Sequence, residues 1–391
     1  MLGRIEICAD AHAHASQGDF ELTRRRERLF SVLVPIGTIL LVLAIAEIVL
    51  HFLPVSSGLR AVTVTADNPV FHFTPNREFL HSTGWDMHNI NRGRINNAGF
   101  VNNQDYRRDD PSPVLAIVGD SYIEARMVPF ADTLQGRLSR KLSGRNRVYS
   151  FAAGGAPLSQ YLIWAQHAVR TYGARTLVIN VVGNDFDESL ASYRIGPGFW
   201  HYVPDERGEL RLRLFEHHPG WLKDLARDSA LARYVVMNLH VQESMSGLGK
   251  LDAWLFSTPA KAAARYAGNT DATADPARVN ESLAVIDAFF RDLPVMTGLP
   301  ARSVVFTVDG FRYPHAAEAG RGTYFDLMRQ AFLEKARNLG YEAIDLDARF
   351  IPRHLRSGER FEFSDDAHWS GVGHGIVAEA VTSSKGLVRP Q

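Results

Sequence analysis

From Leu29 to Ala46 the chain carries no charged residue, and it stays mostly apolar to Val55. Eighteen helical residues at about 1.5 Å rise each cover roughly 27 Å, close to the hydrocarbon thickness of a bilayer. An apolar surface on every side is hard to bury in a domain of this size, so the run predicts one membrane-spanning helix over residues 29–54. Its N-terminal flank is the segment RRRER, Arg24 to Arg28, whereas the other flank offers only Arg60 before Arg77. That asymmetry predicts a cytoplasmic tail over residues 1–28 and an exported remainder. Glu47 lies near the outer end, where a carboxylate reaches the interface at modest cost. The triplet Ala44–Ala46 resembles a small-residue cleavage site, but the apolar run continues past it, so an uncleaved anchor is expected.

Composition excludes several classes. Lysine plus arginine and aspartate plus glutamate are equal at 43 each in 391 residues, and no basic patch interleaved with aromatics is evident, which argues against a nucleic-acid partner. The single cysteine, Cys8, excludes an intramolecular disulfide and a cysteine-rich zinc site. His217 and His218 are adjacent but have no further ligands nearby, so neither a metal nor a cofactor is expected.

Residues 55–110 are dense in turn signals and asparagine and are expected to form a lead-in packed on the main domain. From residue 111 to 391 short apolar strands alternate with amphipathic helices. Strands are predicted at Val114 to Val118, at RVYSFAA, at Thr176 to Val182, at SVVFTVDG and at YEAIDLD, with helical patterns between them and a final helix at GVGHGIVAEAVTSS. Such alternation predicts a three-layer α/β/α sandwich with about five parallel strands joined by right-handed crossovers. Residues 195–274 interrupt the rhythm and are expected to form an aromatic-rich helical cap.

Open α/β sheets bind ligands beyond the carboxyl ends of their strands. The first strand ends in Gly119-Asp120-Ser121, which would project Ser121 into that crevice at a helix N-terminus, where an anion is favoured. A serine nucleophile needs a base and the base an orienting group. FSDDAHWSGVGHG supplies His368, with Asp365 three residues before it as the preferred carboxylate and Asp366 as a substitute only two residues away. His374 is assigned a surface or packing role. Oxyanion donors are expected from FAAGGAPLSQ, at Gly155 with Gly154 as alternative, and from VVGNDF, at the Asn184 side chain.

These blocks, VGDSYIEA, FAAGGAPLSQ, VVGNDF and DDAHW, in this order and at wide spacing, resemble the SGNH or GDSL-type hydrolase superfamily over roughly Asn91 to Val381. The lead-in INNAGFVNNQDYRRDDPSP is similar to that of bacterial membrane-anchored members. The resemblance implies a flavodoxin-like hydrolase fold, a Ser121–His368–Asp365 triad, and an oxyanion hole from the Ser121 and Gly155 amides with Asn184. It implies cleavage of acyl esters through an acyl-enzyme intermediate. A single-pass protein of the bacterial cytoplasmic membrane, with its domain on the extracytoplasmic side, suggests acetyl esters of envelope or secreted polysaccharide, with lipid esters as the other substrate class left open. Transfer of the acyl group to a sugar hydroxyl and a noncatalytic envelope-binding module are the alternatives. Asp309 and Arg312, at the end of the fourth strand, and Trp200 and Trp221, in the insertion, are candidate cleft residues. Val182 stands where many members have glycine, so the third loop departs from the family pattern.

Overall fold

The computed structural model describes residues 6–143, 147–220, 226–239, 266–364 and 366–388. Helix α1 runs Glu6–His51, and its Glu27–His51 part is long and apolar enough to cross a membrane, with none of it buried against the rest of the chain. Leu40, Leu41 and Ile48 are about three-fifths exposed there.

After α1 the lead-in forms an antiparallel hairpin, β1 Arg77–Thr83 and β2 His88–Ile95. The main domain then follows as β3 Val114–Gly119, α2 Ser121–Glu124, α3 Leu134–Lys141, β4 Arg147–Ala152, α4 Leu158–Tyr172 and β5 Ala174–Val181. A second antiparallel hairpin, β6 Trp200–Pro204 and β7 Leu210–Leu214, precedes the short helix α5 Ala230–Arg233 and a tiny hairpin, β8 Tyr266–Ala267 with β9 Thr270–Asp271. The chain continues with α6 Pro276–Thr297, β10 Val304–Val308, α7 Pro314–Ala319, α8 Tyr324–Asn338, β11 Glu342–Asp345, α9 Asp347–Ser357 and α10 Gly371–Thr382, followed by one short helical turn, Lys385–Val388.

Five of these strands make one all-parallel sheet in the order β11-β10-β5-β3-β4. Such a sheet is covered on both faces, which is why its strands read as continuous apolar runs. All six residues of β3 are buried. They alternate between two cores: Val114, Ala116 and Val118 pack with residues of α4, α6 and α8, whereas Leu115 and Ile117 pack with α3 and α10. The order in which strands are added reverses between β3 and β5, with β4 laid outward from β3 and β10 and β11 outward from β5, so the crevice predicted for ligands lies at the carboxyl ends of those two strands.

The lead-in covers the β4 edge. Tyr106 stacks on Tyr149 with ring centroids 3.9 Å apart and donates its hydroxyl to Ser150 O at 2.7 Å, while Asn102 Nδ2 donates to Ser150 Oγ at 3.0 Å. Covering an edge strand removes a template for unwanted pairing. The insertion departs from the expected helical cap: its first part is the β6–β7 hairpin, in which Leu210, Leu212 and Leu214 recur at the period of a strand. Its 240–265 stretch lies outside the described residues.

Candidate active site

Where β3 ends, Gly119 has no room for a side chain, because a Cβ there would lie 2.5 Å from Ile123 Cγ1. Asp120 caps α2 by accepting from Tyr122 N at 2.9 Å, and Ser121 is the first residue of that helix. Ser121 Oγ lies 2.7 Å from His368 Nε2 and 3.3 Å from Asp120 Oδ2. Burial raises the Asp120 carboxyl to about 6.

His368 sits in the loop before α10. Its Nδ1 is 2.5 Å from Asp366 Oδ1, and the same oxygen accepts from the His368 backbone N–H at 3.0 Å. With Nδ1 protonated, the ring donates to Asp366 and Nε2 accepts from Ser121. Spacing alone favoured Asp365 as the partner. The carboxylate seen on the imidazole is that of Asp366, where a two-residue turn lets one oxygen serve both the backbone N–H and ring Nδ1 of His368; Asp365 lies outside the described residues. Burial works to raise the Asp366 carboxyl, but the hydrogen bond and charge of His368 outweigh it and hold the group below the usual aspartate range.

A buried polar scaffold holds this loop. Ala367 O accepts from Tyr122 Oη at 3.0 Å and from Arg312 Nη1 at 2.6 Å. Arg312 pairs with Asp309 at 2.5 Å and donates to Tyr122 Oη at 2.9 Å. Trp369 Nε1 donates to Asp309 Oδ1 at 3.2 Å, and the Tyr122 and His368 rings lie 4.7 Å apart. Asp309 and Arg312, expected as cleft residues, are thus 3% and 7% exposed and brace the histidine loop from behind. Arg312 also lines a cavity of about 620 Å³ with Tyr122, Asn269 and Asp366; Asp309 does not. Trp200 donates its indole N–H to Pro69 O at 2.9 Å, within the lead-in, and lines none of the cavities beside the site. Trp221 lies outside the described residues. His374 is buried and its Nδ1 accepts from Leu134 N at 3.2 Å, a packing contact between α10 and α3.

The expected oxyanion donors are differently employed. Gly154 N donates to Glu124 Oε2 at 2.7 Å, which removes it as a free donor and leaves Gly155, at φ 74°, as the turning residue of the second loop. Asn184 Nδ2 donates to Glu188 Oε2 at 3.1 Å, and Asn184 lines a second cavity of about 640 Å³ with Asn269 and Arg278. The third loop is pinned by Asp185, whose carboxylate accepts from Val182 N and from Tyr161 Oη, each at 2.8 Å. Burial pushes the Asp185 carboxyl well up.

Asp120, Glu124 and Asp185 are the residues that sequence reasoning missed. Asp120 and Asp185 are each next to a site residue in their motifs, GDS and GND, and Glu124 follows Ser121 by three residues in SYIEA; that proximity was the available signal. Among the described residues no group of three or more His, Cys, Asp or Glu is placed to hold a metal ion.

No family model and no curated protein matches the sequence. Among solved structures the chain is similar to the lipase Lip_vut3 from a goat rumen metagenome, at 12% identity and a TM-score of 0.36 over 70% of this chain and 97% of that one. It is also similar to the acetyl xylan esterase AlAXEase, at 12% identity and a TM-score of 0.38 over 69% and 98% of the two chains. Phospholipase A1 from Streptomyces albidoflavus NA297 matches at 13% identity and a TM-score of 0.36 over 70% and 100%.

Proposed function

We propose that this protein is a serine esterase of the SGNH type, tethered to a membrane through α1. The observation that carries this reading is the relay Ser121 Oγ, His368 and Asp366, with contacts of 2.7 and 2.5 Å at the carboxyl end of β3. Ser121 attacks an ester carbonyl while its proton passes to His368 Nε2, and the imidazolium so formed is stabilised by Asp366. The leaving alcohol takes that proton, and water, deprotonated by the same nitrogen, releases the acid from the acyl-serine. The oxyanion is expected to be held by backbone amides of Ser121 and Gly155, together with the Asn184 side chain once Glu188 releases it.

A second reading, transfer of the acyl group to a sugar hydroxyl, is favoured by the two cavities of about 620 and 640 Å³, which share Asn269. Their linings include Arg360, Glu362, Asp187 and Arg278, polar groups suited to an extended hydroxyl-rich molecule.

A fluorophosphonate probe and a panel of acyl esters test both readings. The probe should label Ser121 in the wild type and not in Ser121→Ala, and ester hydrolysis should disappear with the label. Acyl transfer would show as an acylated sugar by mass spectrometry when an oligosaccharide is added. If the wild type takes neither label nor ester, the enzyme reading fails.

A further inference from the structure

A third cavity, of about 400 Å³, lies between the lead-in and the segment that follows α5. That volume is within the usual range for a small-molecule site. Leu59, Phe71, Phe73, Val236 and Met237 give it apolar walls. Gly154 brings it to the catalytic centre, since a Cβ there would sit 3.7 Å from Ser121 Cβ.

Its other side is fixed to the end of the apolar helix. Ser56, Gly58 and Leu59 line it and follow closely after His51, where α1 stops. Val236 and Met237 belong to a segment that α1 itself grips. Glu47 accepts from Ser229 Oγ at 2.7 Å and from the Ala230 and Leu231 amides at 2.8 Å. Asn238 closes the same segment onto the lead-in, accepting from Ser56 N at 3.1 Å and donating to Ser82 Oγ at 2.8 Å. Trp85, 76% exposed, is held here through its carbonyl by Tyr234 Oη at 2.7 Å, and Phe52 is 84% exposed beside the end of α1. Exposed aromatics at this level suit the headgroup zone of a bilayer.

We propose that this cavity takes the acyl chain of a membrane-lipid ester, which enters beside α1 and brings its carbonyl carbon to Ser121. The inference rests on the esterase reading and names its substrate class. A hydrocarbon chain gains from burial against the apolar walls, while Ser56, His81, Ser82, Glu124 and Arg126 in the same lining leave polar partners for the ester end of the lipid. Ser121 Oγ forms the new bond to the carbonyl carbon, the lipid alcohol departs with the proton that His368 received, and water then frees the fatty acid.

The test uses the full chain in vesicles of phosphatidylethanolamine and phosphatidylglycerol containing a phospholipid with a diazirine at the end of one acyl chain. Photolysis should crosslink residues 56–59 and 236–237 in the wild type and equally in Ser121→Ala, so this readout survives a failure of the esterase reading. Leu59→Trp, which fills the cavity, should abolish those crosslinks. In the same variant kcat/KM for p-nitrophenyl dodecanoate should fall about tenfold, with p-nitrophenyl acetate unchanged within about twofold. Val236→Trp, at a position 39% exposed and tolerant of size, should do the same without threatening the fold. Crosslinks confined to residues 29–53, or equal loss of acetate and dodecanoate turnover in both tryptophan variants, would overturn the proposal. Crosslinking as expected, with an esterase-dead wild type, would keep the cavity and remove the chemistry.

Discussion

Replacing Asp366 by asparagine isolates the electrostatic part of the relay, because the amide oxygen can still accept from the His368 backbone N–H. In the proposed reaction, what is lost is the negative charge opposite the imidazolium formed when Ser121 attacks. With the carboxylate 2.5 Å from Nδ1, the charge centres lie roughly 4 Å apart. At an effective dielectric constant near 20 that attraction is about 4 kcal/mol, and each 1.36 kcal/mol is tenfold in rate, so kcat should fall on the order of a thousandfold. The Asp366 side chain is 31% exposed, and solvent screening brings the lower bound to about a hundredfold. Asparagine also allows the wrong imidazole tautomer, which works in the same direction. Asp365→Asn is the control and should stay within about threefold of wild type. Steady-state hydrolysis of an activated acetyl ester, with fluorophosphonate labelling rates as a second readout, measures both. If Asp365→Asn collapses while Asp366→Asn keeps more than about a tenth of the activity, the assignment of the orienting carboxylate is wrong.

Arg312→Met leaves Asp309 buried without its partner and removes one donor to the histidine loop, at Ala367 O, and one to Tyr122 Oη, so urea denaturation should show a loss of about 3–5 kcal/mol; adding Asp309→Asn should recover part of it. Asp120 gives the opposite kind of effect. Its carboxyl is raised from 3.8 to about 6, so the native state holds the proton more tightly than the unfolded chain. The stability it contributes is therefore full below about 3.8 and lost as pH rises through about 6, a change of about 3 kcal/mol that Asp120→Asn should flatten in denaturation curves across that window. Glu47→Gln keeps an acceptor but loses the charge-assisted bonds to the start of α5, so hydrogen exchange at Ala230 and Leu231 should quicken about tenfold while the exchange of β3 stays unchanged.

The sheet was legible because each parallel strand is buried on both faces and therefore appears as a short uninterrupted apolar run ended by glycine or a polar turn. Ser121 was legible for a related reason, because a small polar triplet follows the buried run of β3 abruptly, and His368 because it stands with two acids in the polar loop just ahead of α10. The choice between Asp365 and Asp366 was not. It depends on a local turn in which Asp366 serves both a backbone and a ring nitrogen, and sequence spacing says nothing about which of two adjacent acids makes it. The Arg312–Asp309–Tyr122 scaffold was hidden for a different reason: its members come from β3's end and β10's end and meet only when those strands flank β5. The β1–β2 hairpin was missed because Gly84 is the one glycine that its 84–87 turn offers as a signal, while Met87 and Asn89 also adopt positive φ there without being glycine.

Glu47 shows how a feature read one way in the sequence takes on another function in three dimensions. As a lone acid at the end of an apolar run it looked like a side chain reaching for the interface. In the structure it receives the first amides of α5, which puts an otherwise costly charge to use as a fastening. The insertion is therefore tied at one point to α1 and at another, through Asn238, to Ser56 and Ser82. Two ties on one segment resist rotation in a way that a single linker after Pro54 would not. The orientation of Ser121 relative to the axis of α1 follows from those hydrogen bonds, so a substitution at residue 47, far from the reacting atoms, is expected to alter turnover of membrane-borne esters while leaving soluble ones unaffected.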